Sequence, residues 1–252
     1  KMIVNVYTFC YNEMNILPFV VDYLETYADH VYVYDNGSTD GSIEFLQKFD
    51  WITVRNFKTE GKNNTIMRDI KNECWKESRG VADLVVVCDL DEVLCAKNIR
   101  RSLQDMIEGG YTIAAPKWYT FVSETMPVYE KGKLLHENYP LAWFGEGKVL
   151  IFDPNKIKDI NFTVGSHSCN PTGEVKYYSK GETGDIYCLH ICNNLGVEYK
   201  IKKYEMANKR RSRHDVQSKH GIHYAQTPEQ IRKDYNNMLK TSINFSDLLK
   251  KE

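Results

Sequence analysis

The first half of the chain alternates apolar runs with segments of helical spacing, and this alternation constrains the fold more than any other feature. The predicted strands are residues 2–9, 30–34, 52–56 and 84–88. The predicted helices that separate them are residues 12–27, 41–49 and 63–78. Strands that alternate with helices form a mainly parallel sheet, and the wholly apolar run at 84–88 suits a strand buried on both faces. We therefore predict an α/β fold with a Rossmann-like, mostly parallel sheet.

The second half is less regular after residue 98. Its predicted helices are residues 98–108, 197–213 and 228–239. Its predicted strands are residues 111–116, 148–152 and 186–190. Residues 118–147 are aromatic and punctuated by Gly and Pro, which is typical of long loops over a site.

The composition argues against a nucleic-acid-binding, secreted or membrane-spanning protein. Lys and Arg number 33 and Asp and Glu 34, so the basic signature of nucleic-acid binding is absent. The seven Cys are odd in number and several lie in apolar runs, which indicates reduced thiols rather than a disulfide framework. No apolar run approaches the ~20 residues that span a bilayer, and the first residues lack a signal-peptide pattern. We expect a cytoplasmic protein, with peripheral contact at the membrane as the alternative.

Three polar segments follow predicted strands: residues 8–13, 35–40 and 89–92. Ligands of such sheets bind beyond the carboxyl ends of the strands, so these segments are expected to share one edge. Asp89 and Asp91 leave a buried strand, where two carboxylates are costly unless a cation meets them. Their oxygens favour Mg²⁺ or Mn²⁺, with nucleotide phosphates completing the coordination. The alternative is a solvated turn in which Glu92 caps the next helix.

These motifs resemble the family-2 glycosyltransferases of the GT-A fold. Cys10-Tyr11-Asn12-Glu13, then Asp35-Asn36-Gly37-Ser38-Thr39-Asp40-Gly41, then Asp89-Leu90-Asp91 occur in family order. The nearest resemblance is to a bacterial-type subgroup with a YDNGSTDGS-like turn and a DLDE motif, and it covers residues 2–95 well.

The resemblance implies a GT-A domain over residues 1–252, divided into a donor-binding half (1–95), an acceptor half (96–196) and a C-terminal helical extension (197–252). It implies metal-dependent transfer of a sugar from a nucleotide-sugar, with a UDP-sugar favoured, to a hydroxyl of a glycan or lipid-linked acceptor. Polysaccharide assembly with inversion at the anomeric carbon is the expected reaction. The implied cofactor is Mn²⁺ or Mg²⁺.

Site residues follow from the same resemblance. Nucleotide-lining positions are Thr8, Cys10, Asn12 and Glu13, with Leu90 between the two aspartates. Asp35 or Asn36 would meet the base and ribose, although the 35–41 segment also reads as a plain Asx turn with a helix cap. Asp91 would be a direct metal ligand, and Asp89 would contact the ribose or the metal.

Cations and histidines supply further candidates. Lys62 and Arg68, near Asn64, would point at the diphosphate or form a solvated helix face. His190 and His167 are candidate metal ligands, with a structural histidine as the alternative for each. Zinc at Cys188, His190 and Cys192 is disfavoured because no second Cys/His pair follows at finger spacing. The remaining histidines of the C-terminal part are expected at the surface: His214, His220 and His223.

The motifs that usually carry the catalytic base in family-2 enzymes are absent from this sequence. Glu146, in an aromatic loop, is the candidate general base. Trp118, Tyr119 and Trp143 would stack on the acceptor or belong to the core. The basic helix at 200–213 would approach the donor pyrophosphate, an anionic acceptor or a membrane surface, or remain a solvated face.

Two other functions are compatible with the pattern. A nucleotidyltransferase also pairs α/β layers with metal-binding carboxylates, but residues 8–13 lack the Gly-rich, Lys- or Arg-bearing phosphate loop expected of one. A sugar- or nucleotide-binding domain without activity is the non-enzymatic alternative.

Overall fold

The computed structural model describes residues 1–145, 147–180, 185–191 and 193–251. Its strands are β1 (Val4–Cys10), β2 (His30–Asp35), β3 (Ile52–Asn56), β4 (Leu84–Val87), β5 (Glu92–Cys95), β6 (Ile113–Ala115), β7 (Lys117–Phe121), β8 (Leu141–Phe144), β9 (Ile151–Phe152), β10 (Ile157–Asp159), β11 (Thr172–Gly173), β12 (Tyr177–Lys180), β13 (Tyr187–His190) and β14 (Ile243–Asn244). Its α-helices are α1 (Leu17–Tyr27), α2 (Ser42–Leu46), α3 (Asn64–Glu73), α4 (Ile99–Glu108), α5 (Leu135–Asn138), α6 (Val197–Lys209), α7 (Arg213–Gln217), α8 (Pro228–Thr241) and α9 (Phe245–Lys251). Two 3₁₀-helices span Cys74–Ser78 and Ile222–Ala225.

The main sheet has seven strands in the order β12-β6-β9-β4-β1-β2-β3. β3, β2, β1 and β4 run parallel, whereas β9 is antiparallel to both of its neighbours. Cys10 pairs with Asp35, and Asp35 pairs with Asn56, so β1, β2 and β3 end together. The mixed α/β fold with a mostly parallel sheet is confirmed, and the polar segments that follow these strands share one edge.

Both faces of the central strands are covered. Side chains along β1 alternate, so Val6 joins the hydrophobic cluster that contains α1, and Tyr7 joins the cluster around Trp75 and Phe152. The apolar run of β4 is wholly buried, as expected for a strand between two layers.

A second, five-stranded sheet orders its strands β14-β8-β7-β13-β5. The prediction that Glu92 caps a helix is wrong, because Glu92 begins the buried strand β5, which pairs with β13. The prediction of loops throughout residues 118–147 is also wrong, because β7 and β8 lie there. These strands are held by partners distant in sequence, so their local composition gave little sign of them.

Two helix boundaries differ from the predictions. α1 begins at Leu17 rather than near residue 12, because Asn12 adopts a positive φ of 52° that no helix continues. The helix predicted at 197–213 breaks after Lys209, and α7 starts anew with Ser212 as its cap. No helix among the described residues combines the length and apolarity that crossing a bilayer requires.

Candidate functional site

A cleft of about 640 Å³ opens where the parallel strands end. Its far wall comes from residues 203–224, here called the strap, which contains the end of α6, α7 and the second 3₁₀-helix. The cleft brings together most of the predicted site residues: Cys10, Asn12, Glu13, Asn36, Lys62, Arg68, Asp89, Leu90, Asp91, His167 and His190. Thr8 and Asp35 are buried just behind the lining, and Glu146 lies outside the described residues.

Asp91 and His190 lie together in the cleft, and the pair is here called the Asp91 centre. His190 ends β13 opposite Glu92 of β5, and the Ile191 backbone N–H donates to the Asp91 carbonyl at 2.8 Å. This pairing leaves 3.4 Å between His190 Nε2 and Asp91 Oδ2. Potential ligand atoms of Asp91, Glu92 and His190 all lie within 4.8 Å of one another. Burial raises the pKa of Asp91, but the neighbouring His190 outweighs it and holds that pKa below its usual range.

Asp89 points towards two lysines. Its Oδ1 lies 2.7 Å from Lys71 Nζ, and its Oδ2 lies 3.6 Å from Lys148 Nζ. Burial opposes ionisation, yet Lys71 and then Lys148 hold the pKa of Asp89 far below its usual range. The two aspartates therefore differ: Asp89 is neutralised by protein cations, whereas Asp91 meets an imidazole.

Glu92 holds the loop that carries both aspartates. Its carboxylate accepts the Asp89 backbone N–H at 2.9 Å and pairs with Lys148, and the Glu92 side chain is only 1% exposed. The group is thus enclosed and already partnered, so it stabilises the turn at the edge of the cleft.

The segment after β2 forms the predicted Asx turn. Asp35 accepts the backbone N–H groups of Gly37 at 2.8 Å and Ser38 at 3.0 Å. Ser38 Oγ in turn accepts the Asn12 backbone N–H at 2.9 Å, and this hydrogen bond joins the polar segments 8–13 and 35–40. Asn36, not Asp35, faces the cleft, since the Asp35 carboxylate is occupied by this turn.

The cleft is rich in positive charge. Among the described lining residues, the cations are Lys62, Arg68, Lys71, Lys148, Lys203, Arg210 and Lys219. The carboxylates are Glu13, Asp89, Asp91 and Glu92. The excess of cations suits an anionic ligand such as a diphosphate.

The strap contributes two of these cations next to the first polar segment. Lys203 donates to Glu13 at 2.8 Å, and burial raises the pKa of Glu13 to about 7 even though Lys203 opposes the shift. The Arg210 guanidinium lies 2.9 Å from the centroid of the Tyr11 ring. Part of the predicted basic helix therefore lies on the cleft, where it forms a cation and aromatic surface.

Comparison with known proteins agrees with this geometry. The sequence matches the family model "Glycosyl transferase family 2" over residues 6–169, which is more than half of the chain. The chain belongs to glycosyl transferase family 2. No curated protein matches this glycosyltransferase.

Several solved structures resemble the glycosyltransferase at low sequence identity. S. aureus TarS 1-349 is 13% identical, with a TM-score of 0.47, covering 81% of this chain and 63% of that one. Full S. aureus TarS is 13% identical, with a TM-score of 0.47, covering 94% of this chain and 43% of that one. TarS 1-349 in complex with UDP is 14% identical, with a TM-score of 0.48, covering 85% of this chain and 72% of that one. The chain thus spans less than two thirds of the first two structures.

The structure also places three other predicted residues: His167, Trp118 and Trp143. His167 is exposed on the wall formed by residues 164–167. Trp118 is buried, and its ring packs against His190 at 5.1 Å between centroids, which fits the core alternative for this residue. Trp143 is 41% exposed on β8, outside the described lining of the cleft.

The structure also adds residues that the sequence had not suggested. His220 and His223 line the cleft because the strap folds back over the strand ends; His223 is exposed there, as predicted, whereas His220 is only partly exposed. Lys71 follows Arg68 on one face of α3, where Asn64, Met67, Arg68 and Lys71 recur at helical spacing, a signal that could have identified it. Lys148 had no comparable signal, because it precedes β9 in an irregular segment.

Proposed function

We propose that this family-2 glycosyltransferase transfers a sugar from a nucleotide-diphosphate donor to a hydroxyl acceptor, with a divalent cation at Asp91 and His190. The observation that carries the proposal is the Asp91–His190 pair, 3.4 Å apart, in a cleft whose described Lys and Arg side chains outnumber its carboxylates. A carboxylate and an imidazole bind the metal, and the surrounding Lys and Arg side chains bind the diphosphate.

The residues present fit a Mn²⁺ or Mg²⁺ ion. Asp91 supplies an ionised oxygen, and His190 supplies a ring nitrogen, which suits Mn²⁺ better than Mg²⁺. Glu92 is enclosed and paired with Lys148, so we assign it to support rather than ligation. Asp89 is already neutralised by Lys71, which favours its contact with the donor ribose over direct metal binding.

The donor is proposed to lie along the strand ends. The donor-binding set is Thr8, Cys10, Asn12, Glu13, Asp35, Asn36, Lys62, Arg68, Asp89 and Leu90. Asn36 faces the cleft and supports contact with the base or ribose, while Asp35 supports Asn36 through the turn. Lys62 and Arg210 are joined by a backbone hydrogen bond, and both line the cleft, where they would offer charge to the diphosphate; UDP remains the favoured nucleotide.

Catalysis would rest on charge and position. A bound cation offsets the negative charge that develops on the departing diphosphate. Lys62 and Arg210 add positive charge in a partly enclosed site, where it acts more strongly than in water. An acidic side chain would accept the proton of the acceptor hydroxyl, and direct displacement would invert the anomeric carbon. Glu146 remains the proposed base, and the exposed His167 the proposed acceptor-side or metal contact.

A donor screen tests the proposal. Wild type is incubated with UDP-, GDP- and dTDP-sugars and Mn²⁺, with and without added pyrophosphate, and the nucleoside diphosphate, nucleoside triphosphate and sugar 1-phosphate formed are measured separately. We expect metal-dependent release of a nucleoside diphosphate, and we expect Asp91→Asn to reduce it about 100-fold or more, because a metal supplies several kcal/mol of stabilisation. Asp105→Asn, which removes a carboxylate on α4 outside the described lining, is the matched control.

The outcomes separate the alternative functions. Formation of nucleoside triphosphate and sugar 1-phosphate, dependent on added pyrophosphate, would indicate a nucleotidyltransferase. Tight nucleotide binding without turnover of any donor would indicate a binding domain without activity. Equal UDP affinity of wild type and Asp91→Asn, with and without Mn²⁺, would refute the assigned metal site.

A further inference from the structure

A second cluster of metal-binding side chains lies in the strap, separate from Asp91. His214 and Asp215 belong to α7, and His220 follows in the turn after it. Asp215 Oδ1 is 3.4 Å from His220 Nδ1 and 3.7 Å from His214 Nδ1. Potential ligand atoms of the three residues all lie within 4.8 Å of one another.

Two atoms of this cluster have unmet bonding capacity. Asp215 Oδ1 and His220 Nδ1 are buried, and neither has a hydrogen-bond partner among the described residues. The Asp215 side chain is only 1% exposed, and its other oxygen accepts the Asn64 side-chain N–H at 2.8 Å. Buried polar atoms are nearly always satisfied, so an unsatisfied oxygen and nitrogen that converge call for an explanation such as an ion.

The distances fit a tetrahedral ion. Zinc binds imidazole nitrogen and carboxylate oxygen at about 2.0–2.2 Å, so neighbouring tetrahedral ligand atoms lie roughly 3.3–3.5 Å apart. The 3.4 Å separation between Asp215 Oδ1 and His220 Nδ1 matches this edge length, and the 3.7 Å separation from His214 Nδ1 is slightly longer than it. The Asn64 amide donates to the other Asp215 oxygen and so orients the carboxylate, as partners of metal ligands commonly do.

We propose that His214, Asp215 and His220 bind a zinc ion. The two imidazoles and one carboxylate favour Zn²⁺ over Mg²⁺. His214 is 53% exposed, so the fourth position is accessible to water. The site is independent of the donor-metal proposal, because it shares no residue with the Asp91 centre.

The ion would stabilise the local structure of the strap at the mouth of the cleft. The strap already meets residues 61–64: the Lys62 backbone N–H donates to the Arg210 carbonyl at 2.8 Å, and Ser212 N–H donates to the Lys62 carbonyl at 3.2 Å. Arg211 Nε donates to the His220 carbonyl at 2.9 Å. Zinc at His214, Asp215 and His220 would add a cross-link within 214–220, next to the cleft-lining residues 219–224.

Zinc content of the purified full chain tests the site. We expect about one equivalent of zinc per chain after dialysis, and affinity at least about 100-fold lower in His214→Ala, measured by competition with a chromophoric chelator. His214 is half exposed, so its removal leaves the packing intact. His223→Ala, which removes an imidazole from the same segment outside the cluster, is the matched control and should retain the zinc.

A second readout follows the strap itself. Zinc removal should increase protease cleavage within 213–221 in wild type and leave cleavage of His214→Ala unchanged. Asp91→Asn should retain the zinc, which separates this site from the donor-metal centre. Absence of tight zinc binding in wild type, or equal zinc affinity of His214→Ala and His223→Ala, would overturn the proposal; zinc lost only in Asp91→Asn would assign it to the cleft instead.

Discussion

Lys148→Met would remove the cation that neutralises the most deeply buried carboxylate of the site. Glu92 is 1% exposed and Lys148 is 7% exposed, so neither charge is well solvated once its partner is lost. Burial opposes a charged lysine, yet Glu92 and then Asp89 raise the pKa of Lys148 above its usual range. The methionine keeps the apolar stem of the side chain and deletes only the charge.

The magnitude follows from the burial of both partners. Removing one partner of a buried ion pair costs about 3–5 kcal/mol, because it leaves an uncompensated charge. With a urea dependence of roughly 3 kcal/mol/M for a domain of this size, the unfolding midpoint should fall by about 1–1.7 M. Lys133→Met is the control, since Lys133 pairs with Glu130 at the surface and its loss should leave the midpoint unchanged.

The double variant Glu92→Gln/Lys148→Met tests whether Lys148→Met destabilises the fold by leaving the buried Glu92 charge unpaired or by losing packing. A neutral glutamine at position 92 needs no counter-ion, so the double variant should recover about 2 kcal/mol or more of the loss in Lys148→Met. Urea unfolding followed by tryptophan fluorescence measures all four proteins. A cost below about 1 kcal/mol for Lys148→Met, or no recovery in the double variant, would refute this account of the Glu92–Lys148 pair.

Three further predictions concern stability and donor binding. His136 Nδ1 and Tyr23 Oη share a hydrogen bond of 2.7 Å, and burial lowers the pKa of His136 to about 4. The folded state should therefore lose up to about 3 kcal/mol of stability as pH falls from 6.5 to 4, and the pH dependence of Tm should flatten in His136→Asn. Asn63 accepts the backbone N–H of Ile66 at 3.1 Å as the cap of α3, so Asn63→Ala should cost about 1 kcal/mol in urea unfolding, and no change would contradict the capping role. Arg210→Gln should weaken UDP binding about 10- to 100-fold by calorimetry, whereas Lys209→Gln should not; equal affinities would place the diphosphate elsewhere.

Much of the donor side could be predicted from the sequence. Periodicity identified β1 to β4 and the helices between them, because a strand between two layers must be apolar and an amphipathic helix must repeat at helical spacing. The ends of parallel strands meet at one edge, so the placement of Asn12, Asn36 and Asp91 around one cleft followed from order alone. Those features depend on neighbours in sequence and on a general rule of topology.

Tertiary structure alone decided how the charges at that edge are partnered. Lys148 meets Glu92 across 56 positions, and His190 meets Asp91 only because β13 pairs with β5 in the second sheet. The break after Lys209 and the return of His220 to the cleft likewise depend on contacts between the strap and residues 61–64. The sequence by itself determined which side chains reach the carboxyl edge of the sheet. Only the folded chain decided how those side chains pair, and therefore the protonation and metal-binding capacity of each. The reason is that charge interactions depend on distances in space, which no local sequence pattern encodes.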